Sequence, residues 1–330
     1  MPLKEPVRAK TRPLTISEQP IAGRRNIENI LCPVDFSEFS QNAFTYATCI
    51  ARQLRSRLFV QHTVHLSPTV YLGSADPLVG CHALDATLRQ AGVEMRRLAA
   101  VARLQLREVQ LLVNEGDIRN RLLQSIQQND IDLVVMGTHG RKGFNRLALG
   151  SLTERIVHEA KCPVLVVCRP HKDFVTPEEL QPVHLNTVLF ATDFSPNSDR
   201  ALTEALHWAS LWSARVILFH AVKEIPPELK GRVDLSPEFN PYIEKQLVEA
   251  WRILHERVSI AADKNLEIEC EVRHGDAKEQ ILQFAEEQGA DLIVMGSRGL
   301  DMPATTWGST ISGVVRDGRF PVLAVPHSAE

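Results

Sequence analysis

The chain has 330 residues, 44% of them apolar and 23% charged, with 37 Lys and Arg against 40 Asp and Glu for a formal charge of −3. That length suits two domains of ordinary size, and the near-balanced charge argues against a dedicated nucleic-acid surface or one for acidic lipid. Six cysteines show neither a C-x-x-C pair nor zinc-finger spacing, which speaks against a disulfide framework or structural metal and for a reducing cytoplasm; no apolar run approaches the roughly 20 residues that cross a bilayer.

Residues 1–26 hold Lys4, Arg8, Lys10, Arg12, Arg24 and Arg25 among prolines, without the continuous apolar segment of a secretory signal, and read as a mobile, mildly basic arm. Strands are then expected near 28–34, 57–64, 107–114, 131–137 and 163–168, where short β-branched apolar runs occur. They alternate with helical periodicity near 38–55, 83–105, 117–129 and 151–161. Residues 171–184, with Pro177, Pro182, Glu178 and Glu179, have the composition of a linker. Beyond it strands are expected near 185–192, 214–222, 266–273, 290–296 and 320–326, and the longest helix near 238–264. This α/β alternation is that of a parallel sheet with helices on both faces, occurring twice, in domains spanning 27–170 and 185–330.

The two halves are copies. Asp35-Phe36-Ser37 matches Asp193-Phe194-Ser195 at an offset of 158, and Gln61-His62-Thr63-Val64 matches Phe219-His220-Ala221-Val222 at the same offset. Gly116-Asp117 matches Gly275-Asp276 at 159, as Asp132 to Gly137 matches Asp291 to Gly296, and Cys162-Pro163-Val164 matches Phe320-Pro321-Val322 at 158. Landmarks recurring in order mark a tandem repeat.

In copy one the fourth strand leads into Gly137-Thr138-His139-Gly140, nine residues, then Gly150-Ser151-Leu152-Thr153 opening a helix. Glycines let the backbone approach a ligand closely, and the amides at the helix start favour an anion such as phosphate. Ligands of open parallel sheets sit at the carboxyl ends of the strands, so Asp35, ending the first strand, is expected in the same cleft, where a carboxylate accepts hydrogen bonds from ribose. Each part also has a plainer reading. Ser151 and Glu154 form an S-x-x-E capping box, Asp35 could start a turn or cap the next helix, and His62 and His220 read as hydrogen-bonded structural histidines.

These residues resemble the universal stress protein family in its tandem form, from Ile27 to His327. The family's ATP pattern of Gly, two residues, Gly, nine residues, Gly-Ser is met by Gly137, Gly140, Gly150 and Ser151. The resemblance implies two Rossmann-like domains, of the adenine nucleotide alpha hydrolase-like kind, each a five-stranded parallel sheet, with ATP as ligand and magnesium permitted beside it. It implies that Asp35 binds ribose and that Pro33, Val34 and Thr63 line the adenine pocket. Met136 and Gly137 would pack around the nucleoside, and Gly140, Gly150, Ser151, Leu152 and Thr153 would hold phosphates. It also implies pairing of the domains through their fifth strands, Val164 to Val167 facing Val322 to Val325, a pseudo-dimer that leaves homodimerisation open.

Copy two departs from the pattern. Eight residues rather than nine separate Gly299 from Gly308, Ala191 replaces Pro33, Arg298 replaces His139, and Ile311 replaces Thr153. Asp193, Ala221, Met295, Gly296, Gly299, Gly308, Ser309 and Thr310 remain as a weaker site. The expected function is a nucleotide-dependent regulator or effector of the stress response, with copy one the better site. No P-loop, H-x-G-H, S-G-G-x-D-S or G-x-S-x-G motif points to turnover chemistry. A slow ATPase and a nucleotide-independent scaffold stand as alternatives, and neither nucleic acid nor membrane is an expected partner.

Overall fold

In β1 (Asn29–Pro33), Ile30 and Cys32 point to one face and Leu31 to the other, and all three are fully buried. A strand apolar on both faces belongs inside a sheet covered on both sides. The computed structural model describes residues 26–65, 77–103, 106, 108–138, 150–168, 183–223, 241–261, 266–299, 308–317 and 319–327. All but the last residue of the expected arm, most of the expected linker and Gly140 lie outside them.

The strands are β1, β2 (Arg57–Val64), β3 (Val109–Glu115), β4 (Leu133–Gly137) and β5 (Val164–Val167) in copy one, and β6 (Thr187–Ala191), β7 (Arg215–Val222), β8 (Ile268–His274), β9 (Leu292–Gly296) and β10 (Val322–Val325) in copy two. All ten form one sheet in the order β3-β2-β1-β4-β5-β10-β9-β6-β7-β8. Within each copy every pairing is parallel; β5 and β10 meet antiparallel, Val166 opposite Val322 and Leu165 opposite Leu323. The expected pairing of fifth strands is therefore present within the chain. Because it is antiparallel, the strands of the two copies end at opposite edges of the sheet.

Among the described residues the helices are α1 (Glu38–Leu54), α2 (Pro77–Arg103), α3 (Ile118–Gln128), α4 (Ser151–Glu159), α5 (Pro196–Trp212), α6 (Pro241–Ala261), α7 (Ala277–Gln288) and α8 (Ser309–Asp317). The second starts at Pro77, earlier than the expected 83, since a proline fits the first helical turn, where no intrahelical N–H bond is lost. One core lies beneath α1, α2, α5 and α6 with Ile30, Val60, Phe190 and Leu218. The other lies beneath α3, α4, α7 and α8 with Leu31, Phe59, Leu189 and Phe219. Both run unbroken across the seam, through Leu165 and Leu323 on one face and Val166 and Val322 on the other. Val183 and Leu185 are buried ahead of β6, with Val183 N donating to Gln53 Oε1 of α1 at 2.8 Å.

The recurring sequence landmarks sit at junctions. Asp132 Oδ2 accepts from the amides of Glu28 and Asn29, both at 2.9 Å, and Asp291 Oδ2 accepts from Asn186 and Thr187 at 2.8 and 3.0 Å. Each carboxylate ties the entry of its copy's first strand to the start of the fourth. Asp117 and Asp276 cap α3 and α7, accepting from Asn120 N and Glu279 N. The preceding Gly116 and Gly275 have φ of 114° and 139°, a region side chains rarely enter.

Candidate functional site

The turn after the first strand is built alike in both copies. Asp35 Oδ1 accepts from Ser37 N at 3.0 Å and from Ser37 Oγ at 2.5 Å, and Asp193 Oδ1 accepts from Ser195 N at 3.0 Å. Ser37 and Ser195, not the aspartates, cap α1 and α5; the aspartates start the turn. This geometry drives Phe36 and Phe194 to a φ of 64°, a left-handed conformation that costs a side chain about 1–2 kcal/mol. Each ring is held by a histidine: Phe36 to His62 at 4.6 Å and Phe194 to His220 at 4.1 Å between centroids. His62 Nδ1 lies 2.7 Å from Val34 O and His220 Nδ1 2.8 Å from Thr192 O, so both are structural, as expected. Burial holds the His220 pKa below the usual histidine value.

In copy one, Pro33, Val34 and Asp35 end the first strand, Thr63 the second, and Met136 and Gly137 the fourth, all at one edge of the sheet. Val34, Thr63 and Met136 are buried. Gly137 passes so close to α1 that a Cβ there would lie 2.9 Å from Phe39 O. Gly150 is the N-cap of α4, with no side-chain cap bond, and its N–H donates to Thr138 O at 2.8 Å. The expected capping box is therefore not formed: Ser151 is already the first helical residue, and it stands exposed at the helix start. Leu152 packs on the core below, and buried Thr153 donates from Oγ1 to Gly137 O at 2.9 Å, stitching helix to strand.

In copy two the corresponding edge opens into a cavity of about 670 Å³, within the range of small-molecule sites. All eight expected residues border it: Asp193, Ala221, Met295, Gly296, Gly299, Gly308, Ser309 and Thr310. A Cβ on Gly299 would fall 2.6 Å from Asp193 Oδ2, so only glycine lets the loop run beside the carboxylate. Gly308 N donates to Ser297 O at 3.1 Å, and the opened amides of α8 follow. Ile311, in the place of Thr153, is buried to the same degree. Ile311 also borders the cavity, so the exchange alters a core contact and the cavity wall together.

Sequence reasoning singled out Arg298 as the replacement for His139 but missed the two lysines beside it. Lys223, Lys245 and Arg298 line the cavity, Lys245 brought there by α6 together with Ala250 and Ile253. Of the carboxylates there, Glu249 is hydrogen-bonded by Arg252, which holds its pKa below the usual range. Cations, helix-start amides and a carboxylate beside glycine suit a ligand with an anionic end and hydroxyls. A second cavity of about 720 Å³ lies between the base of copy one and α5. Its Asp132 is tied to backbone amides and its Glu159 to Arg119 at 2.6 Å. Among the described residues, desolvation pushes the thiol of buried Cys49 up to about 11 and those of buried Cys162 and half-buried Cys270 up to about 12, which makes these three poor nucleophiles.

Parallel α/β units with a carboxylate and a glycine loop meeting at the strand ends define a Rossmann-like protein with its ligand cleft at that edge. The sequence model of the universal stress protein family matches residues 26–168 and again 184–326. The chain belongs to that family, with two of its domains in tandem. A universal stress protein of Synechocystis is 26% identical over 317 residues, covering 90% of this chain and 99% of its own. One from Methanocaldococcus jannaschii is 33% identical over 155 residues, 45% of this chain and 89% of its own. The crystal structure of a universal stress protein from Archaeoglobus fulgidus superposes with a TM-score of 0.65 at 21% identity, covering 92% of this chain and 97% of that one, which shows the shared fold. Among the described residues no helix is long and apolar enough to cross a membrane.

Proposed function

We propose that the chain is an ATP-binding regulator or effector of the stress response, acting through bound-state conformation in the cytoplasm and not through turnover. The observation that carries this reading is the approach of Gly299 to Asp193 Oδ2 across 106 residues of sequence. A carboxylate and a glycine loop side by side on one wall support the reading, since ATP would set its ribose against the one and its phosphates against the other. The chemistry supplied by the protein is binding: Asp35 or Asp193 accepts from ribose hydroxyls, while the amides opening α4 or α8 receive phosphate oxygens.

Copy one is the better nucleotide site in this reading, because it keeps the full nine-residue spacing between Gly140 and Gly150. Calorimetric titration of the full chain with ATP tests it. Asp35→Ala is expected to remove the tighter binding event and Asp193→Ala the weaker one. Loss of the tighter event in Asp193→Ala reverses the ranking, and sustained phosphate release over many turnovers replaces the regulator by an ATPase.

A further inference from the structure

Arg298 stands between Gly296 and Gly299 in the loop after β9, and its backbone is pinned by Asn197, whose Nδ2 donates to Arg298 O at 3.0 Å. Its side chain reaches out of its own copy. Nη2 lies 3.2 Å from Nε2 of His158, in the last turn of α4. The antiparallel seam makes this contact by laying the base of copy one beside the cavity mouth of copy two. A guanidinium only donates, so His158 Nε2 is the acceptor, and the ring is neutral with its proton on Nδ1. Arg298 Nε is buried and makes no hydrogen bond. A half-buried cation whose side-chain hydrogen bond among the described residues goes to a neutral ring is poorly compensated, and it lines a cavity that also holds Lys223 and Lys245.

We propose that Arg298 is a phosphate-binding residue of the second copy, and that His158 of the first copy competes with the ligand for it. The inference rests on the reading of the copy-two cavity as a nucleotide site. An incoming polyphosphate offers the guanidinium charged acceptors in place of one ring nitrogen, so Arg298 leaves His158 when the cavity fills. The far end of the same helix is Gly150 and Ser151, at the expected copy-one site, roughly 11 Å from His158 at about 1.5 Å per residue. One short helix thus touches both sites, and by linkage whatever fixes its position in one copy changes affinity in the other. The sequence holds the same two residue types exchanged: His139 corresponds to Arg298, and Arg316 corresponds to His158.

The test uses the full chain carrying Asp35→Ala, titrated with ATP and with ADP, beside the parent chain. Arg298→Ala is expected to weaken both probes about tenfold, and His158→Ala to tighten both several-fold, the scale of one hydrogen bond to a charged group. In the Arg298→Ala background, His158→Ala is expected to change nothing. Saturation with ATP is expected to shift the His158 imidazole 15N resonances only while Arg298 is present. Unchanged affinity in Arg298→Ala, or in His158→Ala alone, overturns the proposal. Binding by the parent with none by the Asp35→Ala chain overturns it too and leaves the nucleotide reading standing. A parent chain that binds no ATP removes both.

Discussion

Copies one and two share a frame down to single hydrogen bonds and differ at the rim of the cleft. Both hold a phenylalanine at a φ of 64° between the turn aspartate and the capping serine, and both lock it with a histidine. Both tie α3 or α7 to the following helix by an ion pair, Arg119 to Glu159 at 2.6 Å in one and Lys278 to Asp317 at 3.7 Å in the other. Where they part is in sequence around the strand ends: one fewer residue in the copy-two loop, Ala191 for Pro33, Arg298 for His139. The lesson is that packing and hydrogen bonding hold the frame alike in both copies, whereas the rim residues keep fewer such ties and have diverged.

The largest effect that would break the comparison is at the seam. Val166 and Val322 face one another there, both fully buried. Val166→Asp is expected to cost about 4 kcal/mol or more by burying a charge without a partner, and a urea transition should show whether both copies lose cooperativity. If only copy one melts, the shared cores are less coupled than their continuity implies.

The two junction aspartates sharpen it next. Asp291 is 1% exposed and Asp132 only half-buried, although each accepts two backbone amides. Asp291→Ala is expected to cost about 3 kcal/mol and Asp132→Ala about half that, since unmet donors are penalised most where water is absent. Equal losses would show that the wall around Asp132 excludes water as well as that around Asp291.

The exchange of Thr153 for Ile311 tests what the cleft difference means. Ile311→Thr is expected to lose about 1–2 kcal/mol of stability through lost packing and an added hydroxyl without tightening ATP in copy two. A tighter copy-two site would show the hydroxyl to be a ligand contact.

The smallest effect is the pH response of His220. Burial lowers its pKa in the folded chain, so below the ordinary histidine value of about 6.5 the unfolded chain holds more protons than the folded one. Stability from this group is present above that pH and is lost as pH falls through the folded value. His220→Gln should flatten that limb in denaturation curves taken between about pH 7 and pH 5.

The strands were legible because fully buried parallel strands are continuous apolar runs, and Leu292 to Met295 announces itself as clearly as Leu133 to Met136. The aspartate and glycine positions were legible because a short backbone approach restricts them to few residue types, as at Gly299. Lys223 and Lys245 were not, since a lysine on a strand end or helix reads as solvated until the cavity beside it is seen. Nor was the contact of His158 with Arg298, 140 residues apart and joined only by the seam. The S-x-x-E at Ser151 was misleading because the helix begins there, leaving Gly150 as its cap.

The antiparallel seam has a consequence for how such a molecule changes over time. Two identical chains joined in this way would be bound by their twofold axis to carry every substitution in duplicate, so neither cleft could specialise without the other. Joining β5 to β10 inside one polypeptide keeps the architecture of that dimer and removes the obligation. An arginine can then stand at position 298 and a histidine at the matching position 139 of the sequence, and a difference between the two copies becomes heritable in a single gene.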